Sequence, residues 1–190
     1  MRYIKKAFTL IPLLILWLMF SIFLWGFVFN LITDAPPREK ITLCVDAETP
    51  GATSLAVLME EKLEGSVRMV KVRPFDYAMF DSGTLTGADL LIVPASHVET
   101  YQSWFAPIPS ELLTEDGLLE IEGIPYGIPA YEADTDRGAA AGYIQYNVPG
   151  REAEDYYLFF GKESVHLSEN EKAADNAAVD AARCLFDLYK

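Results

Sequence analysis

Between Ala7 and Ile32 the chain reads AFTLIPLLILWLMFSIFLWGFVFNLI, a run without one charged residue. As a helix rising about 1.5 Å per residue it is longer than the roughly 30 Å of hydrocarbon in a bilayer. The run predicts a single transmembrane helix over 7–32. Pro12 near its start and Gly26 near its end are tolerated in a tilted span, and Trp25 is placed for an interface. Arg2, Lys5 and Lys6 precede the run, whereas Asp34, Pro36 and Pro37 follow it. By the positive-inside rule residues 1–6 stay in the cytoplasm and everything after the helix lies outside. A cleaved signal has a shorter apolar region ending in small residues, and here the one available site, Thr33-Asp34-Ala35, is followed by proline. An uncleaved cell-membrane anchor is therefore the expectation. Lipoprotein processing at Cys44 is disfavoured by the bulky Leu43 before it and by its place inside a strand.

Residues 33–39 read as a short Pro-rich linker and 40–190 as one extracytoplasmic domain, enough for a single core. The whole chain carries a net charge of −13. Residues 1–37 hold three basic residues and one acid, leaving 12 basic and 27 acidic residues in the exported part. Such a field repels nucleic acid and anionic headgroups, so neither is an expected partner. Cys44 and Cys184 both lie where disulfides are permitted. A Cys44–Cys184 bridge and two ordinary buried thiols are both open. No sequon, zinc spacing, phosphate loop or repeat is present, and nothing calls for a cofactor or metal.

ITLCV over 41–45 is apolar at almost every position, as in a strand covered on both faces. Asp46-Ala47-Glu48 sets two carboxylates at its end, Thr49 caps and Pro50 opens a helix with the stripe Leu55, Leu58, Met59 and Leu63, and Gly65 stops it. VRMVKV over 67–72 alternates like an edge strand, Asp76 opens a short helical piece, and ADLLIVP over 88–94 is a second fully buried strand. Ser96 and Glu99 have capping-box spacing for a helix reaching about Phe105. This βαβαβα order predicts an α/β lobe with a mostly parallel sheet, helices on both faces, and binding at the carboxyl ends of the strands. The two Ile-Pro steps in IPYGIPAY, 124–131, allow only an edge or irregular strand. Gly142–Val148 and Tyr156–Phe160 read as further strands. Ser168 and Glu171 form a second capping box before a last helix whose Ala174, Ala178, Ala181, Leu185 and Leu188 give it a small-residue face.

Three stretches, ADLLIVPASHVETY, IPYGIPAY and YYLFFGKESVHL, resemble in order the first lobe of the extracellular solute-binding proteins that serve ABC importers, the sugar and oligosaccharide group above all. The resemblance implies the type II periplasmic-binding-protein fold, with ligand clamped between two lobes. It carries a ligand-facing role to Asp46, Glu48 and Thr49 after the first strand, Ala95 and Ser96 after the third, and Tyr126, Tyr131 and Glu132 on the crossing strand. Aromatic faces and carboxylates there would suit a carbohydrate. About 25 residues separate Tyr131 from Tyr156, room for a turn and a strand but not for an opposing lobe. The chain therefore resembles one lobe, fixed by a helix. Glu132, Asp134 and Asp136 alternate like a calcium loop, but Gly138 is out of register and Tyr143 stands where the bidentate glutamate belongs, so they read as a solvated turn. His97 and His166 have no nucleophile spaced around them, so no enzyme is expected. The resulting expectation is a non-catalytic accessory or recognition subunit of an ABC-type importer, contacting permease subunits. The alternative is a low-affinity carbohydrate or solute receptor that completes its cleft with a second chain.

Overall fold

The structure, a computed structural model, describes residues 2–63, 65, 67–75, 85–113, 117–147, 150, 152–167 and 175–189. The chain divides into two compact units, Met1–Pro36 and Pro37–Lys190. The first is helix α1, Arg2–Thr33, with Pro12 inside it. Over Ile11–Phe29 its mean hydropathy is 2.4 and none of it is buried. Trp17, Phe23 and Trp25 are all more than 60% exposed. A helix of this length and composition fits a membrane anchor or a signal sequence.

The second unit is a mixed α/β lobe. Its strands are β1 (Lys40–Val45), β2 (Met69–Pro74), β3 (Leu90–Pro94), β4 (Phe105–Ala106), β5 (Leu119–Ile121), β6 (Ile124–Glu132), β7 (Arg137–Gly138) and β8 (Tyr156–Gly161). Its helices are α2 (Ala52–Lys62), α3 (Val98–Tyr101) and α4 (Ala177–Phe186). All eight strands form one sheet in the order β2-β1-β3-β8-β6-β5, with β4 added on β8 and β7 on β6. The expected parallel part is β2-β1-β3. From β8 onward the neighbours are antiparallel.

Strands apolar at successive positions bury both faces. Ile41, Leu43 and Val45 of β1, with Leu90 and Ile92 of β3, face Leu55 and Met59 of α2 and Ala178, Ala181 and Leu185 of α4. Cys44, Leu91, Val93 and Phe159 point the other way, toward Val98, Tyr101 and Phe105. The small-residue face of α4 packs against β1, as its spacing predicts. Ala174 and the 168–171 capping box lie outside the described residues, as does the helical piece from Asp76.

Several local expectations are overturned. Cys44 and Cys184 are free, buried thiols in clusters on opposite faces of the sheet, so the bridge does not form. Burial pushes the Cys44 thiol up to about 12. Thr49 does not cap α2. The cap position is Gly51, and Thr49 contributes only its carbonyl, to Ala52 N–H at 3.1 Å. A β-carbon at Gly51 would meet Tyr143 at 2.9–3.1 Å, so the helix entry is set by close packing instead of a side-chain cap. Ser96 caps nothing either. It sits inside a 3-10 turn, Ala95–His97, and α3 is one turn long.

Residues 142–147 do not form the expected strand, and Val148 lies outside the described residues. Ala140 has φ +53, and Tyr143 and Ile144 N–H both return to the Ala140 carbonyl, so the segment satisfies itself locally. Gln145 makes an isolated antiparallel bridge to Glu48, and Gly51 N–H reaches the Tyr143 carbonyl at 3.2 Å. The Ile-Pro strand β6 is irregular as expected but interior, lying between β5 and β8 with its register shifting between Pro129 and Tyr131.

Candidate functional site

In a parallel sheet the loops after the strands converge at one end. Asp46 follows β1, with its N–H on the Ile92 carbonyl of β3 at 2.8 Å. Pro94, the last residue of β3, pairs with Tyr156, and Tyr156 pairs with Tyr131 near the end of β6. This register gathers Asp46, Glu48, Thr49, Ala95, Ser96, Tyr131 and Glu132 along one rim, as the sequence implies. Tyr126 is the exception. It lies near the start of β6, toward the opposite end, against the cluster that holds Phe159.

The rim is held by its own hydrogen bonds. Asp155 accepts Ala133 N–H on Oδ1 at 2.9 Å, and its carbonyl accepts Ala95 N–H at 2.9 Å. Glu154 accepts Ser96 N–H at 3.1 Å. Glu132 accepts the Thr135 hydroxyl at 3.0 Å, and Asp136 accepts the Tyr131 hydroxyl at 2.7 Å. Two of the three carboxylates with calcium-like spacing are thus engaged within their own turn. Among the described residues no three potential metal ligands stand together.

Tyr131 stacks on Tyr146, ring centroids 4.6 Å apart and planes 13° from parallel, and both rings are buried. Burial, then the Asp136 contact, raises the Tyr131 phenol to about 12. Neither ring presents an open face to a sugar, so the aromatic platform expected of Tyr126 and Tyr131 is not assembled. Beside them lies a cavity of about 430 Å³ whose polar lining is Asp136, Gln145 and Asn147.

His97 is the rim residue that sequence reasoning passed over. Its Nδ1 is 2.6 Å from Asp46 Oδ2, and its ring meets Tyr101 edge-on. The carboxylate at Nδ1 orients the ring on the rim. The signal was available: if the first and third strands are parallel neighbours, the residues just after them meet.

A second polar cluster, buried toward the other end, centres on His166, which is fully buried. Its Nδ1 is 2.7 Å from Asp175 Oδ1, and its Nε2 is 2.9 Å from the Pro37 carbonyl and 3.2 Å from that of Lys40. Every ring partner is an acceptor, so both nitrogens donate and the ring is an imidazolium. Burial alone would lower its pKa, but the Asp175 hydrogen bond, the Pro37 carbonyl and the Asp89 charge outweigh it, and the net direction is up. Asp89 accepts Thr42 N–H at 2.8 Å and the Ser164 hydroxyl at 2.6 Å, and burial shifts it upward. Ser164 touches the His166 backbone and not its ring. The group is a structural tie between the start of β1, the turn after β8 and the start of α4.

The fold and rim together define a single α/β lobe whose strand ends are exposed. No known family matches the chain, and no curated protein matches it in sequence. Two solved structures overlap it in part. One is thiaminase I from Bacillus thiaminolyticus, with 12% identity and a TM-score of 0.34 over 48% of this chain and 28% of that one. The other is the GacH receptor of Streptomyces glaucescens, solved unliganded and with acarbose, with 18% identity and a TM-score of 0.37 over 48% and 29%. This chain therefore spans less than a third of the length of either.

Proposed function

We propose that this protein is a non-catalytic, membrane-anchored recognition subunit. It displays one solute-binding-type lobe outside the cell and works with an ABC-type importer. The observation that carries the reading is the rim: seven residues expected to face ligand gather at one end of a sheet that takes in all the described strands of Pro37–Lys190. A half-cleft with buried aromatic faces has little means of enclosing a small ligand, whereas it leaves loops open to a protein. Arg2, Lys5 and Lys6, ahead of the apolar run that starts at Ala7, support a cytoplasmic N-terminus and an external lobe. The test is affinity capture of the full chain from native membranes, with the helix intact, followed by identification of bound chains. Recovery of permease subunits is expected, and their absence from cross-linked preparations refutes the reading.

The cavity of about 430 Å³ beside Asp136, Gln145 and Asn147 favours one alternative, a low-affinity receptor for a hydroxylated solute that closes with a second chain. Calorimetry of the detergent-solubilised full chain against an oligosaccharide panel separates the two. Heat in the sub-millimolar range supports the receptor, and none supports the recognition subunit.

A further inference from the structure

The cavity of about 430 Å³ that follows β6 joins a buried apolar floor, Tyr131, Ile144 and Tyr146, to an exposed polar wall, Asp136, Gln145 and Asn147. A space of this size takes a whole small molecule. Among the described residues its one charged lining group is Asp136. That carboxylate accepts the Tyr131 hydroxyl on Oδ1 at 2.7 Å, and among the described residues no donor takes Oδ2. Gln145 turns an amide hydrogen to the Asn147 carbonyl at 3.4 Å, which leaves its own side-chain oxygen and the Asn147 side chain without a bond among the described residues. Arg137, next in the chain, is outside the lining, and its charge is felt at Tyr189. On the floor, burial first, then the Asp136 carboxylate, and after it the Tyr156 and Asp155 charges all raise the Tyr131 phenol. The field on that side of the cavity is therefore negative.

We infer that this cavity takes a small hydroxylated cation, with Asp136 receiving its ammonium group and the Gln145 and Asn147 amides its hydroxyls. An ammonium donates to a carboxylate in a charge-assisted bond about twice as strong as a neutral one. An amide both gives and accepts hydrogen bonds, which matches the two roles of a hydroxyl. The apolar floor covers the carbon skeleton. The inference rests on the receptor reading of this cavity and adds what that reading leaves open, the sign of the charge on the solute. The acidic field that repels phosphate draws a cation toward the same rim. A neutral sugar satisfies the amides but brings no countercharge to Asp136, so it binds more weakly.

The experiment uses the full chain in polyoxyethylene-ether micelles, which carry neither sugar nor charge. The probes are glucosamine, an ammonium ion near about pH 6, and neutral glucose. Side-chain amide shifts of Gln145 and Asn147 and the backbone shifts of 136–147 are followed as each is added. Saturable shifts are expected with glucosamine at concentrations about tenfold below those that glucose needs, a difference of about 1.4 kcal/mol. Asp136→Asn keeps an acceptor for the Tyr131 hydroxyl and suits the left-handed backbone at that position, φ +52, so it removes the charge and little else. In that variant the preference for glucosamine should disappear. Equal affinity of the wild type for the two probes overturns the cation and leaves the receptor reading standing, whereas no saturable shift with either overturns both. A preference that survives in Asp136→Asn overturns the role given to Asp136. If the variant does not fold, the comparison of the two probes on the wild type decides alone.

Discussion

Replacing His166 with glutamine isolates the worth of one proton. The imidazolium donates to the Asp175 carboxylate at 2.7 Å and to the Pro37 carbonyl at 2.9 Å, from a fully buried ring. A charge-assisted hydrogen bond contributes about 1.5–3 kcal/mol and a neutral one about 1 kcal/mol. Glutamine keeps one donor, and the Asp175 side chain is 37% exposed, so water recovers part of the loss. The expected cost at acid pH is about 2 kcal/mol, or about 4–8 °C in Tm for a domain of this size.

The sign with pH follows from the direction of the shift. A histidine whose folded pKa lies above its unfolded value of about 6.5 stabilises fully below that value and loses the contribution as pH rises through the folded pKa. The wild-type advantage should therefore be widest near about pH 5.5 and shrink to less than about 1 kcal/mol in alkaline buffer. Thermal melts of both full chains in micelles across this range read it. With two histidines in the chain, a His97→Gln background leaves the His166 ring as the sole imidazole signal for a direct titration. A wild-type advantage that stays constant with pH, or a ring titrating below the ordinary value, would refute the reasoning.

Gly161 sits where an added β-carbon would collide with the Ala88 carbonyl oxygen, a backbone atom that cannot swing aside. Gly161→Ala should cost at least about 3 kcal/mol by denaturant unfolding, at the upper end of overpacking penalties. Glu60 accepts the Val70 N–H at 2.8 Å on the edge strand β2, and Pro74 has no N–H to offer there. Glu60→Ala should cost about 1–2 kcal/mol and raise the dimer and aggregate fractions in size-exclusion chromatography, because an edge donor becomes available to another chain. Both thiols should resist alkylation in the folded protein, Cys44 most of all. Mass spectrometry after mild oxidation should find no Cys44–Cys184 crosslink, and its presence would contradict the two-faced sheet.

The parts of the lobe legible in the sequence are those where periodicity and burial agree. ITLCV and LLIVP read as doubly covered strands because nearly every side chain is apolar, and α4 read as a close-packed helix because its alanines recur on one face. The misread parts are those where tertiary contacts supply what local chemistry was expected to give. Ser96 has capping spacing, but Glu154, far along the chain, takes its N–H. The alternation of Ile144 and Tyr146 resembles a strand, yet a left-handed Ala140 turns the segment back on itself. For the rim, the residues after each strand were found because topology alone brings strand ends together. Tyr126 was misplaced since a resemblance in sequence does not say which end of a nine-residue strand a side chain reaches, and the His97–Asp46 pair required knowing that β1 and β3 are neighbours.

The position of β8 governs how this lobe can come into being. It is the last of the described strands, yet it lies between β3 and β6 and pairs with both. Until residue 161 has emerged during synthesis, two half-sheets stand apart with open hydrogen-bonding borders, and neither can reach its native neighbour. The final strand acts as a wedge that joins them late. Folding should be slow and dominated by distant contacts, and a chain stopped before Tyr156 should be taken by chaperones or proteases instead of resting as a smaller stable core.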